Sequence, residues 1–595
     1  MITTLNELLL NSVRSYPKPD FLLVKKSGRF APISTEEFGT RIRHFSLGLQ
    51  DLGMAKGDKL VILSENRPEW TMTDFACLAA GGVTVPIYTT LMPEAVKYIV
   101  NDSDAAFVVY SNESQGEKIA AVKAELPRVR QFITFADTAP EGCLTFDQVI
   151  RRGAEIDRAR PQAFEEKALR VTADDEASII YTSGTTGIPK GVVLTHGNLV
   201  FNVKTAVASL DFNVTDTVLS FLPLSHILER MVTFAYVCQG CTIAYAESVE
   251  AVAQNLVEVK PHIMVSVPRI FEKIYAKVMD TVLAGSRLKR RVFFWGVKVG
   301  KQAGRRKLAG LRIGSALALR RNLARKLVYS KIIEKTGGRV RFFVSGGAPL
   351  SKDIAEFFYA LGIVIMEGYG LTETSPIIAV NTFENLKFGT VGKPIPGIEV
   401  KIAPDGEILT RGPHVMKGYY KKPEENREIF ADGWLKTGDI GRLDEDGFLI
   451  ITDRKKDLIV TAGGKNIAPQ PIENSLKTNA YVLNAVVIGD RKHFIGALIV
   501  PNFEKLEEYA AFSKIPYGSR AELVRNPQIV NFLKAEIDRA TPNLASYERI
   551  KRIAVLDRDF EIGEGEITPS LKVRRTVIET KYRSVIEGMY KEENA

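Results

Sequence analysis

Residues 181–192 read Tyr-Thr-Ser-Gly-Thr-Thr-Gly-Ile-Pro-Lys-Gly-Val and join one apolar run, Ala177–Tyr181, to another, Gly191–Leu194. Glycines at 184 and 187 let backbone N–H groups turn inward as an anion-binding nest. The hydroxyls of Thr182, Ser183, Thr185 and Thr186 add donors, and Lys190 adds a point charge for a polyphosphate. The order is not that of a Walker A loop, because Ile188 follows Gly187 and no helix starts immediately after. A plain polar hairpin could carry the glycines alone. The ordered hydroxyls and the lysine set this loop apart.

Upstream, amphipathic helices alternate with short apolar strands. Ser34-Thr35-Glu36-Glu37 has capping-box spacing, Phe38, Ile42, Phe45, Leu49 and Leu52 follow at helical intervals, and Gly53 suits a C-terminal cap. Lys59–Leu63 reads as a buried strand. Helices near Glu69–Leu78 and Glu94–Asn101 alternate with strands near Val83–Ile87 and Ala106–Tyr110. This pattern argues for parallel sheets with helices on their faces. It persists to about residue 400, where turns crowd: Pro404-Asp405-Gly406, Asp432-Gly433 and Asp444-Glu445-Asp446-Gly447 punctuate short strands at Glu407–Thr410 and Phe448–Thr452. They predict an antiparallel, barrel-like subdomain. Asp453–Asp457 (DRKKD) has no hydrophobic period and reads as a linker. Beyond it, apolar runs at Ala485–Ile488 and Ile495–Val500, helices near Phe503–Ala511 and Gln528–Arg539 and a strand at Ile553–Leu556 form a small α+β unit. The expected fold class is α/β: a large N-terminal domain, residues 1–453, and a small mobile C-terminal domain, residues 454–595.

The 595 residues are 45% hydrophobic and 25% charged, which excludes wholesale disorder. Four cysteines (Cys77, Cys143, Cys238, Cys241) are too few for a disulfide framework and fit a reducing compartment. Cys238-Gln239-Gly240-Cys241 has neither a second ligand pair nor a thioredoxin-like setting, and reads as helix end, turn and strand start with two buried thiols. The apolar stretch Phe75–Tyr88 contains Pro86 and falls short of the ~18–20 residues a spanning helix needs. The N-terminus lacks the basic segment of a secretory signal. A cytoplasmic protein is expected.

Further segments follow in an order that matters. Ser345-Gly346-Gly347-Ala348 comes after an apolar strand, where glycines let a ligand approach the backbone. Glu367-Gly368-Tyr369-Gly370-Leu371-Thr372-Glu373 offers an aromatic face, a hydroxyl and a hard carboxylate. Lys436-Thr437-Gly438-Asp439, the DRKKD run, Ala462-Gly463-Gly464-Lys465-Asn466 and Gly565-Glu566-Ile567-Thr568-Pro569-Ser570-Leu571-Lys572 complete the set. Together with the loop at 181–192 they resemble the AMP-forming acyl-CoA synthetases and ligases, part of the adenylate-forming enzymes, over about residues 10–590. The resemblance implies an ATP- and AMP-binding site from Thr182, Ser183, Gly184, Thr185, Thr186, Gly187, Lys190, Gly346, Gly347, Ala348, Tyr369, Gly370, Thr372, Asp439 and Arg454. Tyr369 would stack on adenine, Thr372 contact phosphate, Glu373 bind Mg²⁺, Asp439 accept both ribose hydroxyls and Arg454 reach the ribose or phosphate. Lys456 would be the hinge, Gly463 and Gly464 would line the CoA channel, and Lys572 would be the catalytic lysine, alongside Glu373, His226 and Thr185. Asp453 stands where the family more often has glycine.

His226 in Leu222–Arg230 resembles a histidine beside the acyl carboxylate. The following Glu229-Arg230 and Val267-Pro268-Arg269-Ile270-Phe271-Glu272-Lys273 resemble the long-chain fatty-acid branch. The implied reaction couples a fatty acid to ATP as acyl-adenylate, then passes the acyl group to CoA as the C-terminal domain rotates. The alternatives are a ligase for another carboxylic acid, transfer to a carrier protein, or a non-catalytic membrane-binding protein on this scaffold.

The net charge of +10 is local: fifteen Lys or Arg and no Asp or Glu fall between Arg287 and Ile333. In this basic insertion, at about residues 285–333, Leu288, Val292, Phe293, Phe294, Trp295, Val297 and Val299 are interleaved with the cations. Such a composition suits an anionic lipid surface, and residues 287–331 are expected to make peripheral contact at the inner face of a membrane. No nucleic-acid module is recognisable.

Overall fold

The computed structural model describes residues 2–183, 188–542, 544–561, 563–568 and 573–591, without the side chains of Ser183 and Asn466. The alternating pattern builds two sheets. The first has nine strands, with a parallel centre running from Leu22–Lys26 through Thr242–Tyr245, Thr217–Ser220, Ile263–Ser266 and Phe342–Ser345 to Val364–Gly370. The second has eight, and its parallel strands include Lys59–Leu63, Val83–Ile87 and Ala105–Tyr110. The strands expected at Lys59–Leu63 and Val83–Ile87 occupy those residues, as buried runs covered on both faces should.

Helices cover the sheets, held close by small residues. Helix Thr35–Asp51 is capped by the Ser34 side chain and is followed by Gly53 at φ +86°. It lies so near helix Phe146–Ala159 that a Cβ at Gly48 would sit 2.2 Å from the Val149 carbonyl oxygen. The turn-rich stretch after residue 400 forms an antiparallel five-stranded sheet that includes Glu407–Arg411, Trp434–Leu443 and Leu449–Arg454. The C-terminal region is the expected α+β unit, with strands Val482–Ile488, Gly496–Pro501 and Arg552–Val555 flanked by helices Phe503–Phe512 and Pro527–Ala540.

Two local expectations change. The DRKKD run is not linker throughout: strand Leu449–Arg454 continues through its first two residues, and Asp453 is buried. Its carboxylate accepts from the backbone N–H groups of Arg454 (2.6 Å) and Gln470 (3.3 Å), which is why a charged residue tolerates that position. The turn proper begins at Lys455. Helix Ile227–Cys238, Gly240 at φ +68° and strand Thr242–Tyr245 reproduce the reading of the two-cysteine segment, but only Cys241 is fully buried. Cys238 is half-buried.

The basic insertion is helical, with Arg287–Leu308 and Ser315–Ala324 its longest elements. Helical periodicity sorts its apolar residues into two sets. Phe293 and Val299 join the core, whereas Leu288 and Phe294 face solvent with Leu319, Leu323 and Leu327. Among the described residues no helix is long and apolar enough to cross a membrane.

The C-terminal unit touches the larger one along helix Pro268–Leu283. Arg269, in its first turn, pairs with Asp559 at 3.1 Å, and Asp280, in its last, with Lys505 at 3.4 Å.

Candidate functional site

In parallel sheets ligands bind beyond the carboxyl ends of the strands, and the motifs converge there. The phosphate-loop segment is a hairpin: Glu176–Ser183 pairs antiparallel with Pro189–Thr195, setting Thr182 opposite Lys190. Gly191 is required in the return strand, because a Cβ would lie 2.6 Å from Ile179 Cγ2. Both legs are pinned towards the tip. The Tyr181 hydroxyl donates to Asp102 Oδ2 (2.6 Å) and the Tyr98 hydroxyl to the Pro189 carbonyl (3.1 Å). Gly184, Thr185, Thr186 and Gly187 lie outside the described residues, as does the side chain of Ser183.

Lys190 Nζ stands 3.8 Å from Glu425 Oε1 and 5.5 Å from the centre of the Tyr419 ring. The hydroxyl of that same tyrosine donates to Glu373 Oε1 at 2.8 Å. Tyr419 thus joins the phosphate-loop lysine to the carboxylate proposed for the metal. Strand Gly418–Tyr419 places it there by pairing with Pro189–Thr195. Glu373 follows Thr372 in a single 3₁₀ turn just after strand Val364–Gly370.

Strands Phe342–Ser345 and Val364–Gly370 run parallel with Ser345 opposite Glu367, so the Gly346-Gly347-Ala348 and Tyr369-Gly370 segments emerge side by side. Gly347 needs its left-handed φ of +81°. Gly370 lies so close to Pro376 that a side chain there would meet its backbone. The Tyr369 hydroxyl donates to Asp439 Oδ2 (2.7 Å), while Arg454 Nε faces Oδ1 at 3.1 Å. Asp439 and Arg454 are cross-strand partners, so the antiparallel sheet delivers both residues to the tyrosine of the large one. Burial, then the Asp439 charge, holds the Tyr369 phenol well above its ordinary range. A carboxylate has about four lone-pair sites, which leaves Asp439 capacity for further donors.

His226 caps helix Ile227–Cys238, its Nδ1 accepting from the Leu228 N–H at 3.2 Å. Leu228 in turn reaches to 3.0 Å of where a Gly346 Cβ would be, so the histidine and the glycine segment border one region. The next two residues go inward. Arg230 is fully buried and makes a bidentate pair with Asp74, at 2.8 and 2.6 Å. It also donates to the Ser178 and Thr84 hydroxyls. Glu229, also buried, lies beside Ser220, Tyr236 and Tyr245, and burial pushes its carboxyl up to about 8. Burial does the same to Glu367, which accepts from the Leu350 N–H.

These two carboxyls make stability depend on pH. A group whose value is raised on folding contributes fully below its unfolded value, and that contribution is lost as pH rises through its folded one. Stability should therefore fall between pH 6.5 and 8.5, on the order of 1–2 kcal/mol per carboxyl. Urea unfolding at the two pH values checks this. Glu229→Gln should remove roughly half of the dependence; an unchanged slope would place the titration elsewhere.

In the C-terminal unit Lys572 lies outside the described residues. The chain on either side of it is anchored, with Ile567 bridged to Val573 and the buried Glu566 carboxylate paired with Arg558 (2.6 Å) and Lys581 (3.1 Å). Lys456 sits in the turn after Arg454. Gly463 and Gly464 are exposed in a loop closed by the Lys465 N–H on Thr461 Oγ1, at 3.1 Å. The structure therefore brings together Thr182, Lys190, Thr372 and Glu373, with Tyr369, Asp439 and Arg454 beside them, Arg454 being within electrostatic reach of Glu373. Tyr419 and Glu425 were missed from sequence, although Gly418-Tyr419-Tyr420 ahead of Pro423-Glu424-Glu425 was a visible aromatic and acidic cluster.

Among the described residues no three His, Cys, Asp or Glu side chains gather as a metal cage. One half-exposed carboxylate fits Mg²⁺ nonetheless, because that ion commonly takes one or two carboxylates and completes its shell with substrate phosphates and water.

A model of the AMP-binding enzymes matches residues 12–420, and one of the AMP-binding enzyme C-terminal domain matches residues 456–594. The long-chain-fatty-acid–CoA ligase FadD15 of Mycobacterium tuberculosis is 39% identical over 585 residues, covering 97% of this chain and 95% of that protein. Long chain acyl-CoA synthetase 7, peroxisomal, of Arabidopsis thaliana is 34% identical over 627 residues, covering 99% and 87%. Among solved structures, the adenylation domain of a Mycobacterium chelonae carboxylate reductase superposes with a TM-score of 0.75 at 21% identity, covering 99% of this chain and 91% of that one. The anthranilate CoA ligase AuaEII, solved with anthranoyl-AMP, gives 0.73 at 20%, covering 98% and 97%. These two share the fold.

Proposed function

The chain belongs to the AMP-binding enzymes, and from that premise we infer that it activates long-chain fatty acids with ATP and passes them to CoA, releasing AMP and pyrophosphate. Nearly full-length similarity to long-chain-fatty-acid–CoA ligases carries this reading.

A thiol cannot displace oxide from a carboxylate, because oxide is a poor leaving group. In the first step a fatty-acid oxygen attacks the α-phosphorus, forming the acyl-adenylate and expelling pyrophosphate. In the second the CoA thiol attacks the acyl carbon and AMP leaves. The obstacle in the first step is repulsion between a carboxylate and a polyphosphate, so catalysis is alignment plus charge stabilisation. Thr182, Ser183, Gly184, Thr185, Thr186, Gly187 and Lys190 hold the β- and γ-phosphates. Gly346, Gly347, Ala348 and Gly370 form the nucleotide wall, with Tyr369 against adenine and Thr372 on phosphate. Asp439 accepts from the ribose hydroxyls, and Arg454 reaches the ribose or phosphate. His226 sits by the acyl carboxylate, and Lys572 spans carboxylate and α-phosphate. Mg²⁺, held through Glu373, supplies charge neutralisation on the phosphates. For the second step the C-terminal domain, pivoting at Lys456, withdraws Lys572 and brings Gly463 and Gly464 to line the thiol's path. The domains meet at 453/454 in this scheme.

We also infer that the basic helices dock peripherally on the cytoplasmic face of a membrane, where long-chain acids partition. The support is the outward set of Leu288, Phe294, Leu319, Leu323 and Leu327 among the cations. Changing Arg287, Lys289, Arg290 and Arg291 together to Gln should weaken co-sedimentation with anionic vesicles and leave turnover in detergent nearly intact. Unchanged sedimentation would remove the membrane contact.

The function is tested by turnover over fatty acids of graded length, with benzoate and amino acids as controls and AMP and thioester quantified. Long-chain acids should be preferred. Preference for benzoate would support a ligase for another acid class, and thioester formed only on a carrier protein would support that alternative. No activity with any acid would favour a non-catalytic scaffold.

A further inference from the structure

We propose that Tyr419 is a positioning residue for the adenylation step, coupling the metal-binding carboxylate of Glu373 to the phosphate-loop ammonium of Lys190. The proposal rests on the reading of Glu373 and Lys190 given above.

Its two ends act on different groups. The hydroxyl donates to Glu373 Oε1 at 2.8 Å. One carboxylate oxygen is thereby fixed and the plane of the group set, with Oε2 left to face a cation. The ring lies 5.5 Å from Lys190 Nζ, within the range at which an aromatic face attracts an ammonium. Glu425 Oε1 also lies 3.8 Å from that ammonium. Lys190 is thus held by a ring and a carboxylate until phosphate displaces the weaker partner.

The backbone under Tyr419 is held on both sides. Its N–H donates to Asn426 Oδ1 (2.6 Å), and Asn426 Nδ2 donates back to its carbonyl (3.0 Å). The next residue's N–H donates to the Gly191 carbonyl (2.7 Å), and the Met416 N–H donates to the carbonyl of Glu373 itself (2.9 Å). One short segment is therefore tied to the hairpin return strand and to the glutamate's own backbone, and its side chain repeats both connections.

Tyr419→Phe keeps the ring and removes the donor, whereas Tyr419→Leu removes both. Full-length wild type and variants are titrated with Mn²⁺ in the presence of a non-hydrolysable ATP analogue, with free Mn²⁺ read by electron paramagnetic resonance. Binding of the analogue without divalent ion is measured separately. Tyr419→Phe should weaken the nucleotide-dependent Mn²⁺ site roughly tenfold, the size of losing a hydrogen bond to a charged group, with metal-free nucleotide binding near wild type. Tyr419→Leu should weaken both. Thermal midpoints and thioester formation from supplied acyl-adenylate should stay near wild type in Tyr419→Phe, which a merely structural role would not allow. A wild-type Mn²⁺ site unmoved in Tyr419→Phe overturns the proposal alone. A wild-type enzyme without any nucleotide-dependent Mn²⁺ site overturns the metal role of Glu373 and the proposal with it.

Discussion

Replacing Lys572 by alanine should slow acyl-adenylate formation by on the order of 10³-fold while leaving thioester formation from supplied acyl-adenylate nearly unchanged. The first step brings a carboxylate anion up to a polyanion, and a cation present only at that contact lowers the barrier without being needed once the anhydride exists. The described residues on either side of Lys572 are anchored. They are fastened by the Ile567–Val573 bridge and by Glu566, whose carboxyl is held down at about 2 despite its burial; hydrogen bonds from Arg558, the Glu561 N–H and Lys581 outweigh the desolvation. Pyrophosphate exchange measures the first step and loss of free CoA thiol the second. Equal loss of both would mean that Lys572 serves the fold or both chemistries.

The largest effect on stability should come from Asp74. Its carboxylate and the Arg230 guanidinium are both fully buried, each 1% exposed, and Trp70 and Phe234 flank the cation. Asp74→Ala leaves a buried charge with only hydroxyl partners, and breaking such a pair costs about 3–5 kcal/mol. Replacing both residues at once, Asp74→Leu with Arg230→Met, should recover most of that loss, because the penalty lies in the orphaned charge. Denaturant unfolding of the three proteins decides the matter. A mild effect of Asp74→Ala alone would show that water reaches Arg230.

This pair also marks where the sequence stops being legible. Strands such as Lys59–Leu63 can be read because burial on both faces writes a continuous apolar run into neighbouring residues. The hairpin at 176–195 is visible because glycines, hydroxyls and a lysine recur at close spacing. Asp74 and Arg230 are 156 residues apart, and no local period links them; Glu229-Arg230 is legible as a likeness to the long-chain branch, which says nothing of Asp74. The same holds for Tyr419 and Glu373, 46 residues apart, which meet through strand pairing with a third segment. Asp453 reads as linker because charge normally means solvent, yet two backbone donors make its burial tolerable. The basic insertion was readable in composition but not in sidedness, since only packing decides that Phe293 turns inward and Phe294 outward.

Acyl-adenylate should form at the site where the phosphate hairpin, Glu373 and Asp439 converge. Palmitate carrying ¹⁸O in both carboxyl oxygens, incubated with ATP, CoA and the enzyme, tests this most directly by mass spectrometry of the nucleotide product. One ¹⁸O atom in the phosphate of AMP is the predicted result. AMP without label, or label found in ADP or inorganic phosphate instead, would contradict it.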